Sequence, residues 1–316
     1  MTSQLNLNDR AALLTQQCIQ RQQELRIAVS EQHGISVLDF GVSAKGGLAA
    51  GLQLARICMA DLAEIRLQAP TSDRQMPMVT VQTDHPLQAC LLSQYAGWKL
   101  ATDDFFAMGS GPIRIVAAQE ELFREFPAGA EGRECIGVLE CGSLPTESAV
   151  KTIRDAVGID QSVALAVAPT ASQAGNVQVV ARSVETAMHK LHEIGFPVGH
   201  VVSGFGAAPL PPVAKNDLEG IGRTNDSILY GTTVHLWVNC EDDLIQQFGP
   251  QTPSDASDAH GEPFLKLFQE ANHDFYALDK ALFSPAVVVF HSLSSGRSFH
   301  FGRLMPELVA RSFELA

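Results

Sequence analysis

The chain has 316 residues, 46% hydrophobic and 18% charged, a globular composition with material for two compact domains or one large one. Its formal net charge is −13 with no dense Lys/Arg run, which argues against nucleic acid or an anionic membrane as a partner. Six cysteines (Cys18, Cys58, Cys90, Cys135, Cys141, Cys240) show neither C-x-x-C nor paired zinc spacing, so they read as free, mostly buried thiols in a reducing compartment.

The N-terminal stretch MTSQLNLNDRAALLTQQ lacks a basic segment followed by an apolar one, so no secretory signal is read there. No run approaches the roughly 18 apolar residues of a spanning helix, and a cytoplasmic, mesophilic protein is expected. Residues 8–28 carry a helical period, with Ala11, Leu14, Cys18 and Leu25 near one face. ISVLDFGV (35–42) alternates and ends at Gly41, which predicts a strand; AKGGLAAGLQLARICMADL then predicts a glycine-rich turn and a helix. PMVTVQTD (77–84) reads as a strand, PLQACLLSQYAGW (86–98) as a helix stopped at Gly97, and FFAMGSGPIRI (105–115) as a glycine-rich loop. ECIGVLE (134–140) is a predicted strand. PTESAVKTIRDAVG (145–158) is a capped helix, with Pro145 near its start and Gly158 past its end. SVALAVAP (162–169) is a buried strand leading into helical sequence that runs to Gly195.

The C-terminal part is richer in strands. GHVVSGFGAAPLPPVAKND (199–217) predicts a strand and a rigid Gly/Pro loop, while SILYGTTVHLWVN (227–239) and PAVVVFHS (285–292) predict strands. GPQTPSDASDAHGEP (249–263) reads as a polar surface loop, and PFLKLFQEANHDFYALD (263–279) begins as a helix. Helices and strands mix without strict β-α alternation, which favours an α+β fold. AGLQLAR (50–56) echoes AGNVQVVAR (174–182), a hint of a duplicated unit in which only the second copy places a glutamate three residues after its arginine.

ARSVETAMHKLHEIG (181–195) is the segment that invites chemistry. Val177, Val180, Val184, Ala187, Met188, Leu191 and Ile194 fall on one side at 100° per residue. Gln178, Arg182, Glu185, His189 and His192 fall on the other, with Lys190 and Glu193 beside them. Arg182 and Glu185 are i,i+3 neighbours. Such a pair is common on a wet face and worth only ~0.2–0.5 kcal/mol there, so periodicity alone favours a solvated stripe. His189 and His192 form H-x-x-H without a third ligand, a weak metal signal, and no metal site is expected. KGGLAAG (45–51) lacks P-loop spacing, so a tight turn with close helix packing is preferred to a phosphate cradle. GSGP (109–112) is either an anion-binding nest or a structural turn. There is no G-x-S-x-G elbow, and nucleophilic catalysis finds no support.

Six stretches taken in order resemble one family, the methenyltetrahydromethanopterin cyclohydrolases: ACLLSQYAGW (89–98), FFAMGSGPIR (105–114), SQAGNVQVVARSVETAMHKLHEIGF (172–196), SGFGAAPLPPVAKND (203–217), GRTNDSILYG (222–231) and LFSPA (282–286). The resemblance implies an enzyme of one-carbon metabolism that reversibly hydrolyses the N5,N10-methenyl bridge of tetrahydromethanopterin to the N5-formyl derivative. In formaldehyde-oxidising bacteria, the setting favoured by the composition, this step carries formaldehyde towards formate. It also implies two similar, partly intertwined α+β domains with a cleft between them, drawn provisionally at 1–160 and 161–316. A homotrimer follows too, with no required metal or redox cofactor and a pterin as the small-molecule partner. The family's functional arginine and glutamate fall on Arg182 and Glu185. The wall holding the pterin falls on Gln94 and Tyr95, on Gly109, Ser110 and Gly111, on Glu140, and on Asn225 and Asp226. A non-hydrolytic pterin carrier and a cyclohydrolase acting on the tetrahydrofolate analogue are the alternatives.

Overall fold

A computed structural model describes residues 6–71, 76–127 and 132–315; the first five residues of the N-terminal stretch read above lie outside that range. Among the described residues twelve strands follow in chain order: β1 (Ala28–Gln32), β2 (Ile35–Asp39), β3 (Glu64–Gln68), β4 (Met78–Thr83), β5 (Trp98–Ala101), β6 (Phe106–Ser110), β7 (Glu134–Glu140), β8 (Ser162–Ala168), β9 (Val201–Pro209), β10 (Thr233–Val238), β11 (Val287–Ser292) and β12 (Ser298–Gly302). They form two six-stranded mixed sheets, ordered β1-β2-β8-β7-β6-β5 and β12-β11-β10-β9-β4-β3. The fold is α+β, with two similar sheet-containing units. One comprises Met1–Ala63 and Gln88–Gln178, the other Glu64–Leu87 and Val179–Ala316. The provisional line at 160/161 falls inside the first unit, because β8 lies beyond it yet pairs in parallel with both β2 and β7.

In the first unit the three parallel strands ISVLD, ECIGVLE and SVALAVA are near-continuous apolar runs, as strands covered on both faces must be. Leu38, Ile136, Val138 and Ala166 pack with Ala11 and Leu14 of the Leu7–Gln20 helix and Leu54 and Ile57 of the Leu48–Cys58 helix. The alternating residues Val37, Leu139 and Leu165 pack with Val150 and Ile153 of the Glu147–Val157 helix. β1 joins β2 through His33 and Gly34, at φ 51° and 80°, the left-handed pair that a tight antiparallel hairpin uses.

In the second unit β9 lies between β4 and β10, antiparallel to both. The Ser183–Glu193 helix lies against it, and the Asp217–Gly231 helix is capped by Asn216, whose side chain accepts from the Glu219 N–H at 2.9 Å. A second, aromatic-rich core gathers Leu229, Tyr230, Phe264, Phe268, Leu282, Leu308 and Phe313.

Several predicted elements change form. FFAMGSG is mainly strand, since β6 pairs with β5 and β7 through Ser110. SILYG ends the Asp217–Gly231 helix, and only residues 233–238 of that predicted strand extend. The predicted helix before Gly97 is wound as a π-helix, Leu87–Gln94. The 249–263 segment is stitched in rather than a plain surface loop: Ser254 Oγ donates to Leu229 O, Thr252 Oγ1 to Phe248 O and Ser284 Oγ to Thr252 O. Small hydroxyls serve there as staples for buried backbone groups, a use that polarity does not reveal. The echoing segments begin in two helices of the first unit, each following a strand of the same parallel pair, β2 and β8. The likeness thus extends over a repeated strand–turn–helix inside one sheet. Just upstream of KGGLAAG, the N–H groups of Gly41, Val42, Ser43 and Ala44 all donate to the Asp39 carboxylate, so this turn already binds an anion of its own.

Candidate active site

In the first unit, most of the singled-out residues gather at one end of the sheet. Ser110 closes β6 opposite Val138, and Glu140 closes β7 opposite Met108. Ser110 is fully buried, and its hydroxyl lies 3.2 Å from Cys58 Sγ and 3.3 Å from Val138 O. The same thiol points to Gln94 O at 3.9 Å, while Ser93 Oγ donates to Cys58 O at 2.7 Å. Gln94 and Ser110 are therefore held around one cysteine. Gly111 sits at φ 90°, a conformation that favours glycine, and its N–H donates to Ser93 O at 2.8 Å. The GSGP backbone thus serves the π-helix. Tyr95 follows directly, half-buried, its ring 5.1 Å from the Arg114 guanidinium carbon. Gly109 lies against Trp98.

In the second unit, the stripe read from periodicity is broken: one helix ends at Val180, and the next runs Ser183–Glu193 with Arg182 at its N-cap. Arg182 O accepts both the N–H and the hydroxyl of Thr186, each at 2.8 Å. Glu185 is the third helical residue, where unpaired N–H groups favour negative charge. Arg182 is 7% exposed and Glu185 6%, so this part of the stripe is not a wet face. Lys190, placed on the polar side by sequence, is buried too, its Nζ donating to Ala281 O at 2.9 Å. His189 remains partly exposed, with Nε2 3.8 Å from Glu193 Oε1. The close seat of this helix comes from two glycines of β9. A Cβ at Gly204 would stand 2.6 Å from Val184 Cγ1, and one at Gly206 would stand 2.2 Å from Ser183 Oγ.

Asn225 and Asp226 lie on the Asp217–Gly231 helix. Asn225 Nδ2 donates to Ile221 O at 2.9 Å. Asp226 faces inward: Oδ1 accepts the Phe264 N–H at 2.8 Å and Oδ2 the Ser312 hydroxyl at 2.6 Å. Desolvation pushes its carboxyl up to about 6. From within its own helix, Asp226 thereby ties the start of the Phe264–Glu270 helix to the end of the Pro306–Ser312 helix.

Sequence reasoning passed over Cys58, Gln178 and Arg114. Gln178 is fully buried, with Nε2 3.6 Å from Cys58 Sγ and Oε1 without a hydrogen-bond partner among the described residues. Its place on the polar stripe was the available signal; for Cys58 and Arg114, in segments that read as packing, there was none. Among the described residues no group of three or more His, Cys, Asp or Glu side chains is arranged to hold a metal ion, and no helix is long and apolar enough to cross a membrane.

A family model described as "Cyclohydrolase (MCH)" matches residues 6–313. A protein of Rhodopirellula baltica named methenyltetrahydromethanopterin cyclohydrolase is 47% identical over 289 residues, 89% of this chain and 87% of its own. Relatives of the same name from Methylobacterium sp. (strain 4-46) and Methanococcoides burtonii are 42% and 37% identical, each aligning with 98% of this chain and with 97% and 98% of their own. The chain belongs to the methenyltetrahydromethanopterin cyclohydrolase family. As a cyclohydrolase it is an enzyme of the hydrolase class. The match spans both units of the cyclohydrolase, including Arg182 and Glu185 as well as the residues around Cys58.

Proposed function

We propose that this cyclohydrolase adds water to the N5,N10-methenyl bridge of tetrahydromethanopterin and releases the N5-formyl derivative, with Glu185 moving the protons and Arg182 holding it in place. The observation that carries the reading is the burial of this guanidinium and carboxylate at a helix start, 7% and 6% exposed, in a chain of this family. Charged side chains are seldom taken out of water without a task or a partner.

The chemistry suits these groups. The bridge carbon sits between two nitrogens that share a positive charge, so it is electrophilic as it stands. It needs a placed water, a base and a proton for the departing nitrogen. Glu185 takes one proton from the water as its oxygen bonds to the bridge carbon. It then gives that proton to N10 as the carbon–N10 bond breaks. The remaining hydroxyl proton leaves to solvent, and formyl stays on N5. Arg182 orients the carboxylate and stabilises charge on the attacking oxygen. Gln94, Tyr95, the Gly109–Gly111 turn, Glu140 and Asn225 form the pterin contacts in this reading, with Asp226 bracing the Asn225 helix from within. The same family resemblance carries a homotrimer, no added metal or redox cofactor, and a place in formaldehyde oxidation.

Loss of the methenyl chromophore tests the proposal directly. The wild-type chain should bleach methenyl-tetrahydromethanopterin catalytically, and Glu185→Gln should lower kcat by about 10²–10⁴-fold. Tight binding without bleaching identifies a carrier instead. Faster bleaching of methenyl-tetrahydrofolate reassigns the substrate. Near-wild-type turnover in the variant removes Glu185 from the proton path.

A further inference from the structure

We propose that Arg114 is a positioning residue for substrate binding, acting through the segment that carries Gln94 and Tyr95; this rests on the assignment of those two residues to the pterin wall. Leu87–Gln94 is a π-helix, a winding rare at this length and often met at functional sites. Its i→i−5 pattern extends to Tyr95 N–H on Cys90 O at 2.8 Å. The carbonyls that follow have no later turn to donate to them. Arg114 Nη1 supplies donors for two, at 3.2 Å to Leu91 O and 3.1 Å to Ser93 O, and the Gly111 N–H shares the second.

The rest of the guanidinium is equally committed. Nε donates to Glu120 Oε1 at 2.7 Å and Nη2 to Glu120 Oε2. The group also lies against two rings, 5.1 Å from the centre of Tyr95 and 5.2 Å from that of Phe123. Arg114 is 1% exposed, and a buried cation is tolerable only when its donors are paired in this way. Glu120 is itself held close: a Cβ at Gly97 would stand 2.2 Å from its Oε2 and 2.6 Å from Tyr95 Cε1. A planar fork that grips a carboxylate, two carbonyls and an aromatic face at once is a task for arginine, which lysine cannot reproduce. The two carbonyl bonds and the Tyr95 contact meet at the end of the π-helix, which carries the buried Gln94 and is followed at once by Tyr95. Arg114 therefore sets where those two residues stand, without touching the reacting atoms.

Steady-state kinetics on methenyl-tetrahydromethanopterin with R114K, Q94A and the double variant test this. R114K keeps the charge facing Glu120 and loses the paired carbonyl bonds and the flat contact with Tyr95. The expected result is a KM raised about tenfold with kcat within about threefold, the mark of lost binding rather than lost chemistry. Q94A should raise KM as well, and R114K/Q94A by less than the product of the two single changes, since Arg114 acts in part through Gln94. KM effects that multiply, or a fall in kcat at constant KM, overturn the inference and leave Gln94 in its role. A wild-type KM in Q94A overturns the assignment of Gln94 and takes the inference with it. If R114K does not fold, Phe123→Leu removes one ring and keeps every hydrogen bond. A KM rise of about threefold that shrinks in the Q94A background supports the proposal, and an unchanged KM, or a rise undiminished in that background, overturns it.

Discussion

Asp226 shows how much one side chain can cost and still be kept. It is 1% exposed, and burial pushes its carboxyl from 3.8 to about 6, against the opposite pull of the Ser312 hydroxyl, the Phe264 N–H and nearby Arg311. A carboxyl raised on folding binds its proton more tightly in the native state than in the unfolded chain. Stability therefore falls as pH rises from about 4 to about 6 and is flat above that, a loss of roughly 3 kcal/mol at neutral pH if nothing else relaxes. Asp226→Asn keeps an acceptor for Phe264 and carries no charge. In urea titrations the variant should gain on the wild type between pH 4 and 6, and the difference should then level off. A difference independent of pH across that window would mean that Asp226 does not titrate there. The cost has a return: the carboxylate pins the first N–H of the Phe264–Glu270 helix and the end of the Pro306–Ser312 helix to one point.

At the scale of elements, the Ser183–Glu193 helix is placed by what β9 lacks. Gly206 is fixed by its neighbours Val81 and Val234 across two ladders, so it cannot retreat from an added methyl. Ser183, whose Cβ would stand 2.9 Å from that methyl, must move instead, and with it the turn that carries Glu185. Overpacking of this kind costs about 1–3 kcal/mol. Gly206→Ala should lower kcat at least about tenfold while circular dichroism stays native, because acid–base geometry tolerates little displacement. Turnover within about twofold of wild type would show that the helix start shifts without consequence. This placement was only half legible in the sequence. The apolar face of this segment could be counted out and is buried as read but for its last member: Val177, Val180, Val184, Ala187, Met188 and Leu191 are all at 0%, while Ile194 is half-buried. The burial of Arg182 and Glu185 could not, since periodicity reports one apolar face and is silent on what covers the other. Motif resemblance supplied what periodicity withheld. The parallel strands were plain for the same reason the helix face was: ISVLD, ECIGVLE and SVALAVA are mostly apolar, and their charged residues, Asp39, Glu134 and Glu140, all lie at strand ends. β1 was missed because AVSEQ is mostly exposed and polar, and its only signal is the His33–Gly34 turn. The π-winding of LQACLLSQ is set by donors more than twenty residues along the chain, which no local propensity encodes.

At the scale of the whole molecule, the order of strands dictates what can be cut. Each unit is assembled from two stretches of chain, and the chain passes between them after Ala63, Leu87 and Gln178. A fragment of residues 1–160 would keep β1, β2, β5, β6 and β7 but lose β8, the strand that joins β2 to β7. Two apolar strands would then present bare parallel edges, and Ala166 and Leu165 would be missing from the two cores they help build. The complementary fragment 161–316 would carry β8 with neither neighbour and lack β3 and β4, leaving the edge of β9 open. A central strand cannot be replaced by solvent, because its N–H and C=O groups and its side chains are satisfied from both sides. Neither fragment, expressed alone, should therefore give a cooperative urea transition, whereas the full chain should. A sharp transition in 1–160 by itself would mean that β2 and β7 can pair without β8, and the interleaved division of the chain would lose its physical basis.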